Sequence, residues 1–284
     1  MSGVIPIISA IEPVTADTAV WFVDIWGVLH NGVAPFASAV AACRMFRSRG
    51  GIVVLVSNAP RPAASVATQL DRIGVAREAY DAIQSSGDTA RGLIADLKDR
   101  AIYHLGPQRD LAMYDGLDVT LSEPGGARAI VCTGLVDDER ETAGTYRELL
   151  EGFAGRAVPM ICANPDLTVE RGGRIIPCAG ALAALYEAQG GAVYYAGKPY
   201  PPIYEAAFAL ADRLARYCVP RERILAIGDG VRTDIAGAAK VGLRSVYVAS
   251  AVSLEGAALD AASLARLFPD PAIQPVVAME RLQW

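Results

Sequence analysis

At 284 residues the chain is long for one domain and comfortable for two, and with 52% hydrophobic and 20% charged residues it has material for a sizeable core and no compositional case for disorder. The 26 Lys and Arg against 31 Asp and Glu leave a net charge of −5, with the arginines scattered singly, which excludes a basic stripe for nucleic acid. The longest aliphatic run, Ile52 to Val56, is far short of the ~20 residues that cross a bilayer, so no membrane partner is expected.

Read from the N-terminus, Met1 to Asp17 has no basic stretch and carries Glu12 and Asp17, so no targeting leader is expected and the location inferred is cytoplasmic. Ala19 to Val23 is the first predicted strand and ends at Asp24. Ile52 to Val56 is the second and ends at Ser57-Asn58; helically spaced apolar positions then run from Ala63 to Ile73 before Gly74 closes that helix. Ala101 to Leu105, Ala129 to Thr133 and Pro159 to Ala163 continue the alternation. Val193 to Ala196 ends at Gly197-Lys198, Ile224 to Ile227 ends at Gly228-Asp229, and Ser245 to Ala249 and Pro275 to Ala278 are two further strands. This rhythm predicts an α/β fold built on a doubly wound parallel sheet. The stretch between Asn58 and Lys198 looks like a second α/β unit inserted into the first, giving a core of residues 1–97 and 193–284 around a cap of residues 98–192.

Cys43, Cys132, Cys162, Cys178 and Cys218 contain no Cys-x-x-Cys pair and are expected to be free, mostly buried thiols. With only His30 and His104 in the chain, a histidine-rich metal site is set aside. The Gly228-Asp229-Gly230 turn lacks the third glycine of a dinucleotide fingerprint and comes late in the chain, so no nicotinamide cofactor is expected.

In open α/β sheets ligands bind beyond the carboxyl ends of the strands, which predicts that Asp24, Ser57, Lys198 and Asp229 converge. Together they suit phosphoryl transfer. A carboxylate at Asp24 can attack phosphorus, and Asp229 can help it hold Mg²⁺, a hard cation that prefers oxygen ligands. Lys198 neutralises the transferring oxygens, and Ser57 with nearby backbone N–H groups hydrogen-bonds them. Taken singly, each position has a simpler use: Ser57-Asn58 as a helix cap, Thr233 or Asp234 as the cap of the helix that follows, and Asn164-Pro165-Asp166 as a turn initiator.

Asp24-Ile25-Trp26-Gly27-Val28-Leu29, Val56-Ser57-Asn58, Gly197-Lys198-Pro199 and Gly228-Asp229-Gly230-Val231-Arg232-Thr233-Asp234, in this order and at these spacings, resemble the four motifs of the haloacid dehalogenase superfamily. The resemblance is to its class IIA, with a large α/β cap, and covers nearly the whole chain. It implies Asp24 as the nucleophile, and Mg²⁺ held by the carboxylates of Asp24 and Asp229 and the backbone carbonyl of Trp26, with Asp234 in support. It further implies phosphate binding by Ser57 and Lys198, Asn58 lining the site, and Asn164 and Asp166 reaching in from a cap loop that continues to Pro177-Cys178-Ala179-Gly180; Trp26, Gly27 and His30 are further substrate-site candidates. The implied activity is hydrolysis of a small phosphorylated metabolite through an aspartyl-phosphate. Relatives with this cap often pair through it, so a homodimer is a further expectation.

Trp26 departs from the pattern. The superfamily's phosphatases usually carry a second aspartate there, which protonates the leaving oxygen and then activates water; an indole N–H has no useful acidity. General acid catalysis is worth ~10² to 10⁴ in rate, which leaves three readings: a substrate with a good leaving group, His30 as a substitute acid in the substrate site, or lost catalysis with retained ligand binding. A carbon–halogen hydrolase, which needs no leaving-group acid, is the other enzyme reading, but without a cation Asp24 and Asp229 would repel each other.

Overall fold

The apolar runs that end at Asp24, Ser57 and Gly228 lie side by side as the central strands of a parallel sheet. The computed structural model describes residues 4–171, 174–249 and 258–284. In chain order the strands are β1 (Val20–Val23), β2 (Ile52–Ser57), β3 (Ala82–Ser85), β4 (Ala101–Leu105), β5 (Thr120–Leu121), β6 (Ala129–Cys132) and β7 (Met160–Cys162). They continue as β8 (Thr168–Arg171), β9 (Arg174–Pro177), β10 (Val193–Tyr195), β11 (Ile224–Gly228), β12 (Arg244–Val248) and β13 (Val277–Met279). The principal helices are α1 (Ala37–Ser48), α2 (Ala63–Ile73), α3 (Ser86–Ala95), α4 (Arg147–Ala154), α5 (Ala179–Ala188), α6 (Pro201–Ala215) and α7 (Ala236–Lys240).

Two units result. The first comprises Met1–Ser57, Ala67–Gln84 and Lys198–Trp284, the second Asn58–Val66 and Ser85–Gly197. The first holds a six-stranded sheet in the order β13-β12-β11-β1-β2-β3. Successive residues of β1 face opposite ways: Val20 and Phe22 pack with Ile203, Tyr204 and Ala207 of α6, whereas Trp21 stacks on Phe46 of α1 with ring centroids 4.1 Å apart. Helices therefore cover both faces, and the central strands need apolar residues at every position, which is why they read as continuous runs.

The second unit holds a five-stranded parallel sheet, β10-β7-β6-β4-β5, and an antiparallel β8-β9 hairpin. Ile102, Val131 and Ile161 pack with Ala90 and Ile94 of α3. Their neighbours Ile130, Cys132, Met160 and Cys162 pack on the other face with Leu150 and Phe153 of α4 and Leu182 and Tyr186 of α5. This packing places α3 in the second unit, so that unit runs from Ser85 to Gly197, wider at both ends than 98–192, and includes Asn58–Val66. One strand is corrected more seriously. Val193–Tyr195 pairs with β7 as an edge strand of the second sheet, so Lys198 does not follow a strand of the first.

None of the five cysteines forms a disulfide, and Cys218 alone is exposed. Burial pushes the Cys43 and Cys132 thiols up to about 12, which suits packing residues and not nucleophiles. No helix among the described residues is long and apolar enough to cross a membrane.

Candidate active site

Register explains how three of the predicted residues come together. Val23 of β1 lies opposite Leu55 of β2 and Ile227 of β11, so Asp24, Ser57 and Asp229 all emerge at the carboxyl edge of the sheet's three central strands. The Asp24 N–H donates to the Ile227 carbonyl at 2.8 Å and fixes the residue there. Lys198 joins them from outside the sheet. Its buried Nζ donates to Asp24 Oδ1 at 2.6 Å and to Asp234 Oδ1 at 2.7 Å.

Asp234 stands on a single π-helical turn, Val231–Ile235, just before α7, and its Oδ2 accepts the Gly230 N–H at 3.1 Å. It thus closes the turn after β11 and orients the lysine; it does not cap the following helix. Tyr204 of α6 adds a contact that no motif spacing reveals, its hydroxyl donating to the Asp234 carbonyl at 3.4 Å. The only hint in the sequence is its place in the helix that begins just after Lys198.

Carboxylate oxygens of Asp24, Asp229 and Asp234 lie within 4.8 Å of one another. Burial pushes the Asp24 carboxyl well above its ordinary range, the charges of Asp234 and Asp229 push the same way, and Lys198 opposes them. Burial also works against the Lys198 charge, but the carboxylates of Asp234 and Asp24 outweigh it and hold the ammonium above its ordinary value. Three carboxylates this close form an all-oxygen donor set. A hard divalent cation fits such a set.

Gly27 keeps that cluster open. Its φ is +84°, and a β-carbon there would run into the Asp229 carboxylate, 2.7 Å from Cγ. Gly27→Ala is therefore expected to displace Asp229 and weaken divalent-cation binding ~10- to 100-fold, the range for loss of a group that positions a ligand; calorimetric titration with Mg²⁺ checks it.

His30 is 2% exposed, and its Nδ1 accepts the Gly32 N–H at 2.9 Å. That bond requires Nδ1 to carry no proton, and burial lowers the imidazole pKa. The ring braces the turn after Asp24 in its neutral form. His30→Asn is accordingly expected to leave the shape of the pH–rate profile unchanged and to cost far less than the ~10² that loss of a general acid costs. Trp26 is half-buried, with Nε1 3.5 Å from where a β-carbon on Gly32 would sit.

In the second unit Asn58 Nδ2 donates to Asp166 Oδ1 at 2.8 Å, bringing together two predicted substrate residues. Asn164 Oδ1 accepts the Asp166 N–H at 3.0 Å, and the Asp166 carbonyl accepts the Gly180 N–H at 3.2 Å, so the Pro177–Gly180 segment braces the Asn164-Pro165-Asp166 turn. Gly197 has no room for a side chain, because a β-carbon would meet Asn58 Oδ1 at 2.5 Å and Ser86 Oγ at 2.8 Å. Ser86 carries no motif and was invisible in the sequence; its Oγ is fully buried without a hydrogen-bond partner.

Two family descriptions match the chain, "Haloacid dehalogenase-like hydrolase" over residues 21–120 and "HAD-hydrolase-like" over residues 195–270, on either side of most of the second unit. A crystal structure of a haloacid dehalogenase-like family hydrolase from Brucella suis superposes with a TM-score of 0.86 at 44% identity, over 97% of this chain and 99% of that one. The chain belongs to the haloacid dehalogenase-like hydrolases. Among curated members of this superfamily, a dihydroxyacetone phosphatase of Corynebacterium glutamicum is 37% identical over 33% of this chain, and the match spans only 32% of that relative. A 4-nitrophenylphosphatase of Schizosaccharomyces pombe is 24% identical over 83% of this chain and 85% of its own length. The haloacid dehalogenase-like architecture of a Rossmann-like core with an inserted α/β cap, expected from the motifs, is the architecture found here.

Proposed function

We propose that the protein is a Mg²⁺-dependent phosphatase of a small phosphorylated metabolite, working through an aspartyl-phosphate on Asp24. The observation that carries this reading is the buried pairing of Lys198 with Asp24 inside a cluster of three carboxylates. An anionic substrate needs compensating positive charge beside the nucleophile, and the cluster supplies places for two sources of it: the ammonium and a divalent cation.

In this reading an Asp24 oxygen attacks phosphorus. Lys198 neutralises the phosphoryl oxygens, and Ser57 hydrogen-bonds them at the end of β2. Asp24, Asp229 and the Trp26 backbone carbonyl would hold Mg²⁺, with Asp234 in support, and the ion would offset the repulsion between carboxylate and phosphate. Asn58, Asn164 and Asp166 are the substrate contacts proposed for the second unit. The names of the relatives, a dihydroxyacetone phosphatase and a 4-nitrophenylphosphatase, support a small phosphorylated compound as the substrate.

Attack on a carbon–halogen bond uses no metal and would leave the clustered carboxylates of Asp24, Asp229 and Asp234 without a cation to offset their repulsion. Chelation separates the two chemistries. Excess chelator is expected to lower hydrolysis of 4-nitrophenyl phosphate by ~10² or more, with recovery on adding Mg²⁺; full activity in chelator overturns the reading.

A further inference from the structure

A departing alkoxide needs a proton, and the water that later attacks an acyl phosphate is helped by a base. In the loop that follows Asp24 the two ring N–H groups are those of Trp26 and His30. The indole N–H is not acidic, and His30 spends Nδ1 on the Gly32 N–H while buried. Lys198 donates to Asp24 and Asp234, and the three carboxylates gathered there are the proposed cation ligands. In that reading the charged side chains described beside Asp24, Lys198 with Asp229 and Asp234, are committed to the transferring oxygens and the cation.

We infer that the substrate is a phosphate with an acidic leaving group (an aryl, enol or acyl phosphate) and that the aspartyl-phosphate accumulates during turnover. This inference rests on the aspartyl-phosphate reading above. In the first step an Asp24 oxygen forms a bond to phosphorus while the bond to the leaving oxygen breaks, and the electron pair departs on an aryloxide, enolate or carboxylate that takes no proton from the protein. In the second, water bonds to phosphorus, the bond to Asp24 breaks with its electron pair returning to the carboxylate, one proton stays on phosphate, and the other goes to solvent. With neither Trp26 nor His30 serving as a base for that water, the second step is the slower one for a good leaving group. The same side chain, Trp26, thus sets both the leaving-group requirement and the slow release.

The test is a series of meta- and para-substituted phenyl phosphates, extended to acetyl phosphate and glycerol 3-phosphate, with the Mg²⁺-loaded protein and Asp24→Asn as the blank. The aryl series holds size nearly constant while leaving-group acidity varies. Expected are a kcat/KM that falls steadily as the leaving group becomes less acidic, an alkyl phosphate ~10² to 10⁴ below 4-nitrophenyl phosphate, and a rapid burst approaching one aryloxide per site. A level series with glycerol 3-phosphate as fast as the aryl esters overturns the inference while leaving the aspartyl-phosphate reading intact. Turnover that survives Asp24→Asn, or none with any phosphate, overturns both. Trp26→Asp is a second readout: it is expected to raise alkyl phosphate hydrolysis ~10-fold or more and shrink the burst, and a folded variant with unchanged alkyl rates counts against position 26 as the cause.

Discussion

Asp24→Asn is expected to lower phosphatase turnover about 10⁴-fold or more while leaving the fold intact. The amide has the shape of the carboxylate but no anionic oxygen to attack phosphorus. Its effect on stability runs the other way from its effect on rate. Asp24 is one of three clustered carboxylates, and burial already disfavours its charge. Replacing it with a neutral group removes repulsion with Asp234 and Asp229, so the melting temperature in chelator is expected to hold or rise. Steady-state assays with 4-nitrophenyl phosphate and thermal denaturation check the two halves together. A variant that unfolds, or one that keeps more than a tenth of wild-type activity, contradicts the role given to Asp24.

Lys198→Met is expected to have the largest effect on stability. The ammonium is 3% exposed and bridges Asp24 and Asp234 at 2.6 and 2.7 Å. Methionine matches its length and apolar stem but leaves two buried carboxylates facing each other, and breaking a buried pair from one side costs about 3–5 kcal/mol. That penalty should appear in full in chelator and be partly relieved by Mg²⁺, which supplies positive charge to the same oxygens and binds the folded state only. Activity is expected to fall ~10² to 10³, because a positioned donor to the transferring oxygens is lost. Denaturant titrations with and without Mg²⁺ measure both effects. Equal destabilisation under the two conditions would mean that the cation and the lysine do not share these carboxylates.

The parts of the site that sit on central strands were legible because their cause is local. A strand buried on both faces needs an unbroken apolar run, so the polar residue that ends it stands out: Asp24 after Val23, Ser57 after Val56, and Asp229 after Gly228. Which sheet a strand joins is not local. Val193–Tyr195 has the same apolar and aromatic character as a core strand, and only its pairing with Met160–Cys162 assigns it to the second sheet. Lys198 reaches Asp24 although the strand before it belongs elsewhere. The exact edge of the second unit is not local either: α3 is amphipathic in any context, and the contacts of Ala90 and Ile94 with Ile102, Val131 and Ile161 decide its side. Short strands were missed where composition is mixed, as at Ala82–Ser85, whose buried Gln84 breaks the apolar run. His30 shows a third limit. Its spacing from Asp24 allows an acid or a polar loop residue, and the backbone hydrogen bond to Nδ1 supports the loop role.

The central claim is a covalent bond between phosphorus and Asp24, and trapping that bond tests it most directly. The Mg²⁺-loaded protein is mixed with excess 4-nitrophenyl phosphate, quenched in acid within the first turnovers, reduced with borohydride and mapped by peptide mass spectrometry. Reduction of an acyl phosphate converts the aspartate to homoserine, so the account predicts homoserine at position 24, dependent on substrate. Turnover under the same conditions with Asp24 recovered unmodified, or with the label on another residue, would contradict it.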